Sequence, residues 1–352
     1  MTNIRADVLR GFQAAQRMHN EEAVRENYLR PGGRIDVYQL AADLDIPVMF
    51  QDLDGLLGVY LADPNPGILL TKKRPAAVQR FTCAHELGHF YLQHEESLDS
   101  EADIGFSLSG GYGGDELERQ ADAFAFSFLM PKWLLIQNLQ RLASSGFRLN
   151  APTPIEQAHV VYQLSLRVGC SYLATINTLQ HYRILVDGTA DVLRRIEPRK
   201  IKEHLLSEIM VPDWRRDVWL VTEADNGGEI DASPEDLFVV RVQEPSTAGY
   251  RTKLNQLEEN GFTILKEGYL TSFDVGMQSK EGVVVGTFPT FEAVTQHGMP
   301  GHAAINIVHA RPWEGPELSV VPLHLDLDLR IAPQGLSVEE RQKRLEIATT
   351  ND

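Results

Sequence analysis

The sequence predicts an α+β chain, with a helical N-terminal part built around a small sheet and an all-β sandwich after it. Three observations carry this expectation. Apolar residues recur at helical spacing from the N-terminus to about Glu208. Three short β-rich runs, Ile46–Phe50, Leu56–Leu61 and Gly67–Thr71, interrupt that pattern early. From Asp217 onward, β-branched runs alternate with Pro and Gly turns, which is the cadence of a sandwich.

In chain order, Asn3 to about Asn27 predicts a leading helix, with Val8, Phe12 and Ala15 on one face. Ile35–Ala42 predicts a short second helix after the Pro31-Gly32-Gly33 break, and the three strand runs follow it. The apolar run around Phe81–Phe90 is a helix. Ser97–Glu116 contains Ser109-Gly110-Gly111-Tyr112-Gly113-Gly114, too many glycines for a regular element, and is expected to be a flexible connection. Asp115–Met130 is an amphipathic helix stopped by Pro131. Glu156–Leu164 and Ser171–Leu179 form a helix-turn-helix outline around Gly169. Arg167 is the only basic residue between Glu156 and Gln180, whereas a DNA reader needs several phosphate contacts, so this segment is expected to pack rather than bind DNA. The strand-like runs beyond it are Val218–Val221, Leu237–Val242, Val283–Val285, Ala304–Val308 and Leu318–Val321, with a charged tail after Gly335. At 352 residues the chain exceeds one typical domain. The expected division is 1–145, a helical segment 146–212, a β-sandwich 213–333 and a tail 334–352.

His85-Glu86-x-x-His89 lies inside the Phe81–Phe90 run. Residues four apart share a helix face, so two imidazoles can converge on one metal ion, with Glu86 beside its open position. A carboxylate there can act as general base toward a water that the ion has acidified. The plain alternative is a packed or exposed histidine pair. A zinc site of this kind needs a third protein ligand, and the helix after the glycine run offers Glu118 and Asp122, again four apart. With Glu118 as ligand, Asp122 can accept a hydrogen bond from the second nitrogen of a ligating histidine. The competing reading is a solvated acidic helix face. Tyr112 and His94 are candidates for stabilising a developing oxyanion. Cys83 faces another side of the helix and reads as a buried small apolar residue.

His85-Glu86-Leu87-Gly88-His89 followed by Glu118-x-x-Ala121-Asp122-x-Phe124-Ala125-x-x-Phe128-Leu129-Met130-Pro131 resembles the ImmA/IrrE family of bacterial metallopeptidases over roughly residues 30 to 135. The Glu-x-x-x-Asp arrangement is also similar to thermolysin-like gluzincins. The resemblance implies a zincin-like domain in which His85, His89 and Glu118 bind Zn2+ and Glu86 is the catalytic base. It implies a protein substrate, a helix-turn-helix transcriptional repressor, cleaved in a stress or defence response.

Further on, residues 217–330 resemble the chagasin family of cysteine-protease inhibitors, an immunoglobulin-like sandwich. The resemblance rests on Pro245-Ser246-Thr247-Ala248-Gly249-Tyr250 and on Arg311-Pro312-Trp313. The first stretch carries one residue more than the family loop, and a third, glycine-rich loop survives only around Gly282–Gly286. Pro245, Thr247, Gly249, Tyr250, Arg311, Pro312 and Trp313 are therefore candidate partner-binding residues, and a cysteine protease is a candidate partner; the alternative is two ordinary turns with Trp313 packed on a sheet edge.

Composition bounds the rest. A net charge of −16, from 33 basic and 49 acidic residues, argues against a surface built to hold nucleic acid. No run of eighteen apolar residues and no signal-like N-terminus is present, so neither a membrane span nor export is expected. Two cysteines supply no disulfide framework, which fits a cytoplasmic protein. Two functions from different classes follow: a zinc endopeptidase using the sandwich for recognition, or a non-enzymatic inhibitor of a papain-like protease with a structural metal site. A structural zinc has no need of Glu86 and closes its fourth position, which favours the first.

Overall fold

The structure is a computed structural model. It describes residues 4–330, apart from 31, 54–55, 63–65, 95–96, 101–114, 207–208, 210–212, 271–288 and 316–317. Tyr112, the glycine run, Val283–Val285, Gly282–Gly286 and the charged tail lie outside the described residues. The architecture is mixed helix and sheet, with helices prevailing early and sheets late. The chain divides into two compact units, one of residues 1–138, 164–195 and 332–352, the other of 139–163 and 196–331. Among the described residues, no helix is long and apolar enough to cross a membrane.

The first unit opens with α1, Ile4–Glu21. The predicted leading helix is broken at Ala23, whose φ of 45° is left-handed, and resumes as α2, Val24–Asn27. Helix α3, Val37–Asp43, starts where the Asp36 carboxylate accepts the Gln39 N–H, an N-cap that satisfies a donor the helix itself cannot. Strands β1 (Val48–Gln51), β2 (Leu56–Leu61) and β3 (Gly67–Thr71) coincide closely with the three predicted runs. Helix α4 spans Ala76–Leu92, and α5, Glu116–Leu129, follows β4, Ser97–Ser100. That last strand corrects the expectation of a connection throughout 97–116. It pairs antiparallel with β2 and completes a sheet of order β1-β3-β2-β4, in which the β1–β3 pairing is parallel and the other two are antiparallel. Phe81, Leu87, Phe124, Phe128, Met18 and Ile68 are among the largest fully buried side chains, so α4, α5, α1 and the sheet share one core. Each such side chain contributes about 1.5–3 kcal/mol on burial.

Helices α6 (Lys132–Ser144) and α7 (Pro154–Val168) come next, then α8 (Tyr172–His181) and α9 (Asp187–Arg194). Between α7 and α8, Gly169 takes a φ of +68° and Ser171 caps α8 through the Ala174 N–H. Arg167, the one cation available for phosphate in this outline, is 3% exposed. Its guanidinium belongs to the interior.

The second unit holds α10 (Pro198–Leu206), β5 (Val218–Thr222), β6 (Glu229–Ala232), β7 (Leu237–Gln243), β8 (Arg251–Lys253), α11 (Asn255–Glu259), β9 (Thr263–Leu270), β10 (Thr290–Gln296), β11 (Gly301–Ala310) and β12 (Val320–Leu329). They form two four-stranded sheets of order β5-β7-β10-β9 and β6-β12-β11-β8. In β12, Leu323, Leu325 and Leu327 are buried while His324 and Asp326 are exposed, the period-2 pattern of a sheet with one face on the core. Strand β5 is an edge yet buried along its whole length. The Gln163 side-chain amide donates to Val218 O (2.8 Å) and accepts from Leu220 N (2.8 Å), and Tyr162 Oη accepts from Val218 N (3.1 Å). Side chains of α7 thus occupy backbone groups that an open edge would offer to another strand.

Candidate metal centre

Helix α4 presents His85 and His89 on one face, both 1% exposed. Helix α5 is set against it through Gly88, where an added Cβ would stand 3.0 Å from the Phe124 ring, so a side chain there would push that ring back by a few tenths of an ångström. This close approach brings the first turn of α5 to the histidines. Asp115 fixes that turn by accepting the N–H groups of Leu117 (2.8 Å) and Glu118 (3.2 Å).

Three side chains converge as a result. His85 Nε2 lies 3.0 Å from His89 Nε2, Glu118 Oε2 lies 3.2 Å from His85 Nε2, and Glu118 Oε1 lies 3.5 Å from His89 Nε2. These separations test whether the donors suit a metal. Four ligands at about 2.1 Å around a tetrahedral ion stand about 3.4 Å apart. Observed edges of 3.0, 3.2 and 3.5 Å make one face of such a tetrahedron, and two imidazoles plus a carboxylate are a donor set zinc accepts. The residues fit a metal ion, and among the described residues no other group combines histidines with a carboxylate in this way.

The surrounding groups hold these donors. Asp122 Oδ1 lies 2.9 Å from His85 Nδ1, and both residues are buried. His94 Nδ1 lies 3.0 Å from His89 Nδ1. His94 therefore stands behind the ligating ring rather than beside the fourth position, where an oxyanion donor would be needed. Burial lowers the His94 pKa from its ordinary value. Glu86 is fully buried next to β2: a Cβ on Gly58 would stand 2.5 Å from Glu86 Oε1. Sequence reasoning assigned Gly58 nothing, although a glycine inside a strand signals close approach. Cys83 and Cys170 are buried free thiols, and burial pushes Cys170 up to about 11 and Cys83 higher still.

Helix α1 supports the same turn from its other side. Asp7 Oδ2 accepts from Arg119 Nε (3.0 Å) and Nη2 (2.8 Å), a buried pair next in sequence to Glu118. Gly11 adjoins Gln120, Ala123 and Phe124 with no room for a side chain.

In the second unit, the two predicted loops meet. Ser246–Ala248 form a 3-10 turn ending at Gly249, with φ +84°. A Cβ on Gly249 would stand 2.5 Å from the Trp313 ring, Arg311 Nε donates to Ala248 O at 2.9 Å, and its guanidinium lies 4.5 Å from the centroid of Tyr250. Trp313 is nonetheless 71% exposed, rather than packed on a sheet edge. Behind the turn, Glu244 is buried and accepts from Thr252, Arg251 and Tyr269.

The helix pair brings two histidines and a carboxylate together as one set of donors fit for a metal ion. Residues 41–175, which contain all these site residues of the first unit except Asp7 and Gly11, match the peptidase family model described as IrrE N-terminal-like domain. Two solved structures are similar to the C-terminal part. The cysteine protease inhibitor EhICP2 from Entamoeba histolytica is 16% identical, with 34% of this chain and 100% of that one covered and a TM-score of 0.25. Amebosin, in a solution structure, is 16% identical, with 32% and 98% covered and a TM-score of 0.23. No curated protein matches the chain.

Proposed function

We propose that the protein is a zinc-dependent endopeptidase that cleaves a regulatory protein. The observation carrying this reading is the triangle of His85, His89 and Glu118 donors with Glu86 buried one residue from a ligand. His85, His89 and Glu118 would hold Zn2+, which supplies Lewis acidity toward a water and a peptide carbonyl. Glu86 then takes the proton from the attacking water and passes it to the leaving amine. Asp122 keeps the His85 proton on Nδ1, leaving Nε2 as the donor. Glu86→Gln should retain zinc and fold yet lose cleavage, read by mass spectrometry of a digested substrate; equal cleavage by this variant refutes the mechanism.

The substrate we favour is a helix-turn-helix transcriptional repressor, cut in the cytoplasm during a stress or defence response, a reading supported by the motif resemblance of residues 85–131. The sandwich serves as its recognition domain. A second reading has its own observation: the exposed Trp313 braced by Gly249, with Arg311 stacked on Tyr250, is a rigid aromatic-plus-arginine anchor of the kind that dominates protein interfaces. On that reading the partner is a papain-like cysteine protease. Titrating the full chain into papain separates the two, since residual activity unchanged at large excess removes the inhibitor.

A further inference from the structure

The two histidines of the centre are anchored by different chemistry. Both direct Nε2 toward the common point, so in each the single proton of the neutral ring belongs on Nδ1 and requires an acceptor there. Asp122 Oδ1 fills that place for His85. The atom filling it for His89 is His94 Nδ1, at 3.0 Å, with the rings edge to face at 4.9 Å between centroids.

We propose that His94 is a positioning residue of the metal centre: its Nδ1 lone pair accepts the His89 Nδ1–H and holds His89 in the tautomer whose Nε2 faces the ion. His94 then carries its own proton on Nε2. This inference rests on the metal-centre reading given above.

The end of α4 brings His94 to this contact. Continued as a helix, α4 would carry residue 94 about 140° around the axis from residue 89, away from its ring. Instead α4 stops at Leu92, and Gln93 adopts φ 57°, ψ 42°, a left-handed conformation that a residue with a Cβ enters at a cost. The His94 N–H returns to His89 O at 3.0 Å, which folds His94 back onto the last turn. The Gln93 side chain is exposed, so its own packing does not account for the strain. This left-handed C-cap, of the kind that also ends α3 at Asp45 and α8 at Arg183, leaves His94 behind His89.

The test uses the full-length protein, freed of metal and titrated with zinc against a chromophoric chelator. His94→Leu keeps bulk but offers no acceptor, whereas His94→Asn can place Oδ1 near the Nδ1 position. His94→Leu should bind zinc 10- to 100-fold more weakly, as loss of outer-sphere partners does elsewhere, and His94→Asn within about fivefold of wild type. In 15N-histidine-labelled, zinc-loaded protein, the His89 Nδ1–H resonance should be protected from exchange in wild type and His94→Asn, and lost in His94→Leu. Equal affinities for wild type and His94→Leu overturn the inference, and so does an equal loss in both variants, which would mark a packing role. Wild type that fails to bind zinc overturns the metal-centre reading itself, a result distinct from either.

Discussion

Asp7→Asn should unsettle the first turn of α5, although position 7 lies 112 residues from Arg119 in sequence. The pair is 6% and 7% exposed, and Arg119 Nε and Nη2 both donate to Asp7 Oδ2, at 3.0 and 2.8 Å. Removing one member of a buried ion pair costs about 3–5 kcal/mol, because the remaining charge loses the group that offset its desolvation. Asparagine keeps shape and one acceptor, so the lower end, about 3 kcal/mol, is expected. For a unit of this size each kcal/mol moves the midpoint by about 2–4 °C, so calorimetry should show the transition of the first unit about 6–12 °C lower. Asp7→Leu combined with Arg119→Met removes both charges and should recover most of the loss, because a buried ion pair is worth little against apolar replacements of similar size. Zinc affinity should fall in the single variant, since Glu118 sits beside Arg119. A midpoint within 2 °C of wild type, or a double variant as unstable as the single one, refutes the reasoning.

Gly58→Ala should place a methyl group on the Glu86 carboxylate and slow cleavage at least tenfold, with zinc affinity within a few-fold of wild type; unchanged kcat removes the steric argument. His159, held down to about 3 by burial first and then by His204 and Arg241, is neutral in the fold, whereas the unfolded chain takes up a proton below about pH 6.5. Its contribution is therefore complete above pH 6.5 and declines as pH falls toward 3, by about 2 kcal/mol at pH 5; denaturation at pH 7 and pH 5 should show a loss about 2 kcal/mol smaller in His159→Gln than in wild type. Gly249→Ala forces a Cβ into a left-handed residue and onto Trp313, so partner capture through this surface should weaken by at least tenfold, which a pull-down or calorimetric titration measures.

The parts legible in the sequence were those set by local periodicity. Four-residue spacing placed His85 with His89 and Glu118 with Asp122 on helix faces, and strand-rich runs located β1, β2 and β3. Failures of prediction follow where the backbone departs from what its residues prefer. Ala23 and Gln93 are left-handed without being glycine, so neither the break after α1 nor the return of His94 leaves a mark in composition. Strand β4 lies in a polar stretch and exists because β2 offers an edge to it. Strand β9 reads Thr263-Ile264-Leu265-Lys266-Glu267-Gly268-Tyr269-Leu270, with charges and a glycine that local propensity counts against a strand, yet β10 pairs along it. Strands β6, Glu229-Ile230-Asp231-Ala232, and β8, Arg251-Thr252-Lys253, are short and charged and carry no better local signal.

The same distinction explains the construction of the metal centre. Its donors come from two helices whose spacing is written locally, but their convergence depends on contacts with no local signature. Gly88 admits Phe124, Gly58 admits the Glu86 carboxylate, Asp7 reaches Arg119, and Gln93 accepts strain that returns His94 to His89. An HExxH helix without these supports would still present two histidines on one face. Two imidazoles whose Nε2 lone pairs face each other 3.0 Å apart repel unless a cation lies between them, and acceptors at Asp122 and His94 hold the protons on the opposite nitrogens so that both lone pairs are free for one. The motif specifies which atoms can bind. The residues outside it determine whether those atoms face one point with lone pairs ready.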